Sequence, residues 1–269
     1  MGATAQSGYE LPFIAQYYDF LPLVKGRADL DFYLAYAAAE GDPILELGCG
    51  TGRILLPLAQ AGHAILGLDL SHQMLARLRS KLESLSLDLH DRIRLVHSSM
   101  ADFDLQESFR LVIVPFRPFQ HLLSVEEQMA CLRAAHKHLQ PGGKIILDLF
   151  HTDPRRLHDP EFMTEREVHG EVALADGRRV RLAERTVAFH RAEQVNDVEL
   201  IYYVTHPDGR TERLVHAFPI RYFFRFEVEH LLFRCGFRVN DIFGEFDRSP
   251  LRDDSAEMLF VAEKISPAG

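Results

Sequence analysis

The segment that most constrains the fold is residues 44–53, which read ILELGCGTGR. A short apolar run leads into a turn that carries three glycines, and a helical pattern starts directly after it. Glycine lacks a Cβ atom, so the backbone can turn tightly there and a ligand can approach it closely. A strand, a glycine-rich turn and a helix in this order predict an α/β domain, whose ligands bind beyond the carboxyl ends of its strands.

Strand-like and helix-like segments alternate up to about residue 156. Apolar runs predict strands over 44–47, 64–70, 93–96, 111–114 and 144–150. Helical spacing of apolar residues predicts helices over 54–61, 72–85 and 125–139, with Ser71 capping the second and the Pro-Gly-Gly at 141–143 ending the third. Strands that alternate with helices imply crossover connections, so we predict an α/β fold with a Rossmann-like, doubly wound, mostly parallel sheet.

The second half of the chain lacks this alternation. Three strand-like stretches follow one another, over 180–189, 198–204 and 213–218, with turn residues at Asp176-Gly177 and at 207–209. They predict a small antiparallel sheet inserted into the main fold. A helix closed by Gly236 and two strands, over 237–243 and 258–263, then follow.

These patterns suggest three parts of the chain. We predict an N-terminal helical lid over 1–40 and an inserted antiparallel sheet over 157–219. The Rossmann-like domain would cover the remaining ranges, 41–156 and 220–265.

The spacing of the glycines separates one kind of nucleotide site from another. The dinucleotide-binding pattern G-x-G-x-x-G would need a glycine where this chain has Arg53, which disfavours an NAD-dependent oxidoreductase. A P-loop is also disfavoured, because no G-K-[ST] follows the glycines. The string ELGCGTG instead closely resembles the first motif of class I methyltransferases that depend on S-adenosylmethionine (SAM). The resemblance implies that SAM is the cofactor. It also implies that five residues of this motif border SAM: Glu46, Gly48, Cys49, Gly50 and Gly52.

Asp69 ends the second predicted strand and is the second candidate cofactor residue. A carboxylate at this position can accept two hydrogen bonds from ribose hydroxyls, as in other nucleotide-binding Rossmann folds. Capping of the next helix is the alternative role, although Ser71 is better placed for it. Met74 is expected near the adenine, and it also fits the core face of its helix. Leu70, directly after Asp69, is also expected to border the cofactor.

Residues 98–105, SSMADFDL, look like the adenine-binding motif of the same class. There an acidic residue commonly precedes the methionine and bonds the adenine amino group, whereas this chain has Ser99. A hydroxyl accepts more weakly than a carboxylate, so we expect the main chain at Met100 and Ala101 to contribute to adenine recognition. Pro115, directly after the fourth strand, is also expected to border the cofactor.

Shorter motifs extend the resemblance over nearly the whole chain. They are YYD at 17–19, GRAD at 26–29, FQHL at 119–122 and CGF at 235–237. They are similar to a small-molecule branch that includes glycine, sarcosine and amino-sugar N-methyltransferases. By that resemblance Tyr18 and Arg27 close over the cofactor, and Arg27 pairs with its methionine carboxylate. A surface ion pair with Asp29 or Asp31 is the alternative for Arg27.

The implied activity is transfer of a methyl group from SAM to a nitrogen or oxygen atom of a small molecule. An amine must be unprotonated to react, and a hydroxyl benefits from a base. His121, after the fourth strand, and His151, after the fifth, are the candidate catalytic residues because both belong to the carboxyl edge of the sheet. The aromatic residues of the insertion could cover the acceptor or form a homodimer face.

Charge and cysteine content limit the other functions open to the chain. The net charge of −9 is a poor match for nucleic acid, since most of that affinity comes from neutralised phosphates. Three widely spaced cysteines predict neither a disulfide framework nor a metal site, and no apolar run reaches the roughly 18 residues of a membrane span. We expect a cytoplasmic enzyme without nucleic-acid or membrane partners. A nucleic-acid methyltransferase and a catalytically inactive SAM-binding regulator are the alternatives.

Overall fold

The computed structural model describes residues 8–265, apart from the side chains of Leu23 and His169. Residues 1–7 of the predicted lid therefore lie outside the described residues. The helices are α1 Pro12–Tyr17, α2 Pro22–Lys25, α3 Leu30–Glu40, α4 Leu55–Gln60, α5 His72–Glu83, α6 Leu87–His90, α7 Val125–His138 and α8 Arg225–Arg234. The strands are β1 Ile44–Leu47, β2 Ile65–Asp69, β3 Ile93–His97, β4 Phe109–Val114, β5 Leu139–Phe150, β6 Arg166–Ala173, β7 Arg179–His190, β8 Val195–Thr205, β9 Thr211–Arg221, β10 Phe237–Phe243 and β11 Glu257–Lys264.

Seven strands form one sheet in the order β10-β11-β5-β4-β1-β2-β3. Strands β1 to β5 pair in parallel, whereas β11 pairs antiparallel with both β5 and β10. The direction of chain progression reverses between β1 and β4, which is the switch point where such sheets bind ligands. The predicted fold class, α/β with a doubly wound and mostly parallel sheet, is confirmed.

The core lies on both faces of this sheet, which explains why its strands are nearly continuous apolar runs. Side chains alternate between faces along a strand. In β4, Val112 and Val114 belong to one buried cluster, and Leu111 and Ile113 belong to the other. Every residue of β1 is buried. The central strands therefore hold the residues that follow them on a rigid base.

Most of the predicted elements in this sheet are confirmed with small differences at their ends, and the largest error lies between α7 and β5. Ser71 caps α5 by accepting a hydrogen bond from the Met74 amide at 3.2 Å. Helix α7 ends at His138, before the Pro-Gly-Gly at 141–143 that was expected to end it. These residues lie inside β5, because pairing with β4 already begins at Leu139.

The second sheet has four antiparallel strands in the order β6-β7-β8-β9. Its two predicted turns are confirmed, since Gly177 and Gly209 adopt φ values of 83° and 86° between paired strands. Strand β6 is absent from the sequence prediction. Its residues, REVHGEVA, mix polar and apolar side chains without regular alternation, and its pairing with β7 is interrupted by two register shifts.

Internal contacts divide the chain into two compact units. One combines the chain up to residue 27 with 153–222 and contains the antiparallel sheet, and the other combines 28–152 with the chain from 223 and contains the parallel sheet. Helix α3 thus groups with the parallel sheet, although the predicted lid extends to residue 40. The domain limits of the functional enzyme stay a prediction.

Replacement of Gly67 by alanine should destabilise the protein. An added Cβ would lie 2.4 Å from Leu55 Cδ1 and 2.8 Å from Cys49 Sγ, both in the buried core. We expect a loss of about 1–3 kcal/mol in the free energy of unfolding, measured by chemical denaturation. Gly170→Ala is the matched control, since nothing lies within 4 Å of its added Cβ. An equal effect of the two changes would contradict this account of the core.

Candidate cofactor and acceptor site

The glycine-rich turn after β1 is fixed to the elements around it by main-chain hydrogen bonds. The amides of Gly48 and Cys49 both donate to the Leu68 carbonyl, at 2.7 and 3.0 Å. Lys81 Nζ donates to the Thr51 carbonyl at 2.8 Å. The turn is therefore attached to β2 on one side and to α5 on the other, which gives it a defined shape.

The three glycines of this turn have different surroundings, although all have positive φ values. A Cβ on Gly48 would lie 2.7 Å from Pro118, and one on Gly52 would lie 2.4 Å from Leu78. A Cβ on Gly50 would meet nothing within 4 Å. Gly48 and Gly52 are thus required by packing, whereas Gly50 borders open space that a ligand can enter.

Asp69 joins this turn to the end of β2. Its Oδ2 accepts a hydrogen bond from the Gly50 amide at 2.7 Å, and its Oδ1 accepts one from the Ser71 amide at 2.8 Å. Each carboxylate oxygen has two lone pairs, so these bonds are compatible with further acceptance from a ribose diol. Because Ser71 supplies the helix cap, capping does not account for Asp69.

Glu46 is the most unusual polar residue beneath the turn. Its side chain is 2% exposed, and its Oε2 atom has no hydrogen-bond partner among the described residues. Burial raises the pKa of the Glu46 carboxyl well above its ordinary value, Arg53 opposes this shift, and Asp69 and Asp29 add to it. A buried and unsatisfied carboxyl is costly unless a ligand or a proton satisfies it.

Two of the predicted cofactor residues have side chains that lie in the core. Cys49 is 3% exposed and Met74 is 2% exposed, and burial raises the pKa of the Cys49 thiol. Contact of Cys49 with a cofactor is therefore restricted to its main chain. Leu70 differs, because its side chain is 50% exposed beside Asp69 and is available as an apolar surface.

The segment after β3 is held in a tight turn by Ser99. Its hydroxyl accepts a hydrogen bond from the Ala101 amide at 3.2 Å, and its carbonyl accepts one from the Asp102 amide at 3.1 Å. The Ala101 amide that was expected to read the adenine is thus engaged within the turn. Met100 Cε lies 3.5 Å from the position of a Cβ on Gly48, so this segment meets the glycine turn.

The turn after β4 contains two adjacent residues in the left-handed region. Following Pro115, Phe116 and Arg117 have φ values of 62° and 70°. Such conformations cost free energy in residues other than glycine and cluster at functional sites. The Phe116 amide donates to Oδ2 of the buried Asp148 at 2.7 Å, which helps to maintain the turn.

Arg117 and Glu257 form an ion pair at the same edge of the sheet. Arg117 Nη2 lies 2.6 Å from both carboxylate oxygens, and the two side chains are only 11% and 10% exposed. The Arg117 guanidinium also stacks on the Phe150 ring, with 3.4 Å between Cζ and the ring centroid. This pair joins the β4 turn to the first residue of β11.

The residues that directly precede the two candidate histidines are hydrogen-bonded to each other. His121 ends the 3-10 helix Pro118–His121, and the buried Gln120 before it accepts a hydrogen bond from the Phe150 amide at 2.9 Å. Phe150 immediately precedes His151. The His151 Nδ1 atom bonds the Ser255 carbonyl at 2.9 Å, and a carbonyl can only accept. In neutral His151 the Nε2 atom therefore carries the lone pair that a base needs.

The remaining predicted residues, Tyr18 and Arg27, belong to the unit of the antiparallel sheet and are both half-buried. Their closure over a cofactor stays a prediction.

Within residues 8–265 no helix is long and apolar enough to cross a membrane. The same residues contain no cluster of three metal-ligating side chains.

Comparison with known proteins identifies this arrangement. Residues 44–143 match the methyltransferase domain family. The chain is 25% identical over 88% of its length to a dTDP-3-amino-3,4,6-trideoxy-alpha-D-glucopyranose N,N-dimethyltransferase from Streptomyces venezuelae, of which the match covers 91%. It is 27% identical over 90% of its length to a cypemycin N-terminal methyltransferase from a Streptomyces species, of which the match again covers 91%.

A solved structure shares this fold over nearly all of its own length. The CcbJ methyltransferase from Streptomyces caelestis aligns with a TM-score of 0.75 at 24% identity, covering 97% of this chain and 98% of that one. The glycine turn, the acidic end of β2 and the matched domain resemble those of class I methyltransferases. This chain is a SAM-dependent methyltransferase.

The residues at the switch point fit this cofactor. The unsatisfied Oε2 of Glu46 offers a buried polar contact, and Gly50 leaves room for a ligand to approach the backbone. Asp69 would hold the ribose hydroxyls, while Leu70 and Met100 would supply apolar surface for the adenine. These assignments rest on the positions of the residues and stay predictions.

Replacement of Gly50 by alanine should reduce cofactor binding without unfolding the protein. The methyl group would meet no protein atom within 4 Å but would project into the predicted cofactor space. We expect at least about tenfold weaker binding of S-adenosylhomocysteine, the product form of the cofactor, in a calorimetric titration. Gly209→Ala is the control, because Gly209 also has a positive φ and open surroundings but lies in a hairpin turn. Unchanged binding by Gly50→Ala would place the cofactor elsewhere.

Replacement of Glu46 by glutamine should change how stability depends on pH. Since burial raises the pKa of Glu46 in the folded protein, the folded state holds a proton that the unfolded state loses above about pH 4.3. Wild-type stability should then fall as pH rises from that value, by up to about 1.4 kcal/mol per pH unit, and Glu46→Gln should lack this slope. Denaturation between pH 4 and pH 8 measures it, with the exposed Glu126→Gln as control. Parallel curves for wild type and Glu46→Gln would show that Glu46 is ionised in the folded protein.

Proposed function

We propose that this enzyme methylates an amino nitrogen of a small molecule, with a nucleotide-linked amino sugar as the first acceptor class to test. The observation that carries the proposal is the extent of the similarity. The two relatives described above align over the inserted sheet as well as the SAM domain. The name of the first specifies transfer to nitrogen, and the name of the second specifies the N-terminal end of cypemycin, where a peptide carries its free amine. Similarity confined to the SAM domain would carry no information about the acceptor.

The chemistry of the cofactor determines what the protein has to supply. When bound, SAM supplies a methyl group on a sulfonium that is already a good leaving group. The protein then contributes alignment of the acceptor for an in-line displacement, and exclusion of water. The fixed turns after β1 and β4 support this role, since both have several hydrogen bonds or ion pairs that limit their movement.

We assign the cofactor contacts to residues around the switch point. Asp69 would bind the ribose, Ser99 and the main chain of Met100 the adenine, and the glycine turn the methionine part. Tyr18 and Arg27 would close over the cofactor, with Arg27 on the methionine carboxylate. A carboxylate and a guanidinium form charge-assisted, bidentate contacts, which suits this last pairing.

We assign the acceptor nitrogen to the space beside His121 and His151. An amine is nucleophilic only when it is neutral, so a neutral imidazole nearby can take its proton or orient it. His151 is prepared for this, because its Nδ1–H donates to the Ser255 carbonyl and its Nε2 is left as the basic atom. His121 follows the β4 turn, which has a defined geometry.

The remaining expectations concern partners and location. Three buried, free cysteines suit a reducing compartment such as the cytoplasm, and the net charge of −9 disfavours nucleic acid as the acceptor. The aromatic residues of the insertion support either a cover for the acceptor or a homodimer face. An inactive SAM-binding regulator remains the rival function, and it differs in forming no methylated product with any acceptor.

An acceptor test should separate nitrogen from oxygen transfer. We expect SAM and a dTDP-linked 3-amino sugar to yield S-adenosylhomocysteine and a mono- or dimethylated sugar, detected by mass spectrometry. The same sugar with a hydroxyl in place of the amine is the control and should give no product. Methylation of the hydroxyl sugar would contradict transfer to nitrogen. Tight cofactor binding without product from this sugar, or from a peptide with a free N-terminal amine, would favour the regulator.

Removal of both candidate bases should affect turnover but not cofactor binding. For the double variant His121→Ala and His151→Ala we expect kcat/KM at pH 7 to fall by about 10²–10⁴-fold, because no imidazole is left to take the proton of the amine or to orient it. Binding of S-adenosylhomocysteine should stay within about twofold of wild type. The exposed His230→Ala is the control. Turnover that is intact across pH in the double variant would exclude both histidines.

A further inference from the structure

Arg53, the residue directly after the glycine turn, makes contacts that the SAM-binding motif does not explain. Its Nη1 and Nη2 atoms donate to the two carboxylate oxygens of Asp29, at 2.6 and 2.7 Å. Asp29 is completely buried, and the Arg53 side chain is 18% exposed. Both hydrogen bonds are charge-assisted and nearly shielded from water, so this pair is geometrically specific.

Asp29 occupies the N-cap position of α3 but makes no capping hydrogen bond with its side chain. Aspartate is among the preferred N-cap residues, since its carboxylate usually accepts from the first turn of the helix. Here the carboxylate turns to Arg53 instead. The start of α3 is thereby tied to the glycine turn rather than satisfied within its own helix.

The other side of Arg53 faces the turn after β4. Its Cζ atom lies 5.3 Å from the centroid of the Phe116 ring, within the range of a cation–π contact. The Arg117 guanidinium lies 5.6 Å from the same ring. Phe116 is thus next to two cations, and its left-handed backbone conformation has to be maintained by its surroundings.

These contacts form a continuous line along the carboxyl edge of the sheet. It runs from Asp29 through Arg53 and Phe116 to Arg117 and ends at Glu257. The line passes the glycine turn first and then the turn after β4, which leads to the 3-10 helix that ends at His121. A change in position at one turn therefore has a direct physical route to the other.

We propose that Arg53 is a positioning residue that holds the glycine turn and the turn after β4 in one fixed geometry. It does so through its two hydrogen bonds to the Asp29 carboxylate and its contact with the Phe116 ring. The inference rests on the proposed function, because it assumes that SAM binds at the glycine turn. It requires a planar guanidinium rather than a positive charge alone. Lysine keeps the charge but has neither the two-pronged donor geometry nor a flat face for the ring.

The first test is Arg53→Lys, with Arg94→Lys as the matched control. Arg94 also bonds both oxygens of one carboxylate, that of Glu107, but it is 63% exposed on β3. Calorimetric titration with S-adenosylhomocysteine should show about tenfold weaker binding for Arg53→Lys and unchanged binding for Arg94→Lys. A merely structural role predicts a lower melting temperature for Arg53→Lys with unchanged binding by the folded protein, and that result would overturn the proposal.

A double-mutant cycle tests the coupling between Arg53 and the turn after β4. Phe116→Leu removes the ring, and its effect on S-adenosylhomocysteine affinity should largely disappear when Arg53 is already lysine, since both changes break one contact. Independent effects that multiply in the double variant would contradict the proposed coupling. If Arg53→Lys fails to fold, Asp29→Asn keeps the shape and the arginine, and it should weaken binding in the same direction. Failure of wild type to bind S-adenosylhomocysteine would instead refute the cofactor site itself.

Discussion

The hydrogen bond from the Gly50 amide to the Asp69 carboxylate is the interaction on which the rest of this site depends. It joins the turn after β1 to the end of β2, which are adjacent because their strands pair in parallel. The amides of Gly48 and Cys49 extend the connection to Leu68. Parallel pairing thus places a backbone that can approach a ligand beside a carboxylate that can bind hydroxyls. The matched methyltransferase domain covers both features.

The turn after β4, on the proposed acceptor side, follows another principle, since it is held by side chains that are distant in sequence. Asp148 holds the Phe116 amide, and Glu257 holds the Arg117 guanidinium. Both acids are buried or nearly so, and each accepts a hydrogen bond from the turn, as buried polar groups have to. They maintain two consecutive left-handed residues that would otherwise relax. His121 and His151 are close in sequence to residues fixed in this way, which supports the proposal that the acceptor lies beside them.

The sequence is a good guide to the elements of the parallel sheet and a poor guide to its polar edge. The bounds of β1 and β10 are predicted correctly because apolar runs between turn residues leave little ambiguity. Strand β6 is missed because its polar and apolar residues do not alternate clearly. The pairing of Arg117 with Glu257 spans 140 residues, and neither residue has a motif of its own. Asp148 does leave a signal, as a carboxylate within the apolar strand KIILDLF, and a buried charge in such a place predicts a partner.

The most direct test of the central claim is a calorimetric titration with S-adenosylhomocysteine of wild type, Asp69→Ala and the exposed control Asp91→Ala. The account predicts micromolar binding by wild type and by Asp91→Ala, and loss of binding by a folded Asp69→Ala. Equal binding by all three proteins would contradict the assignment of Asp69. Absence of binding by well-folded wild type would contradict the cofactor site as a whole.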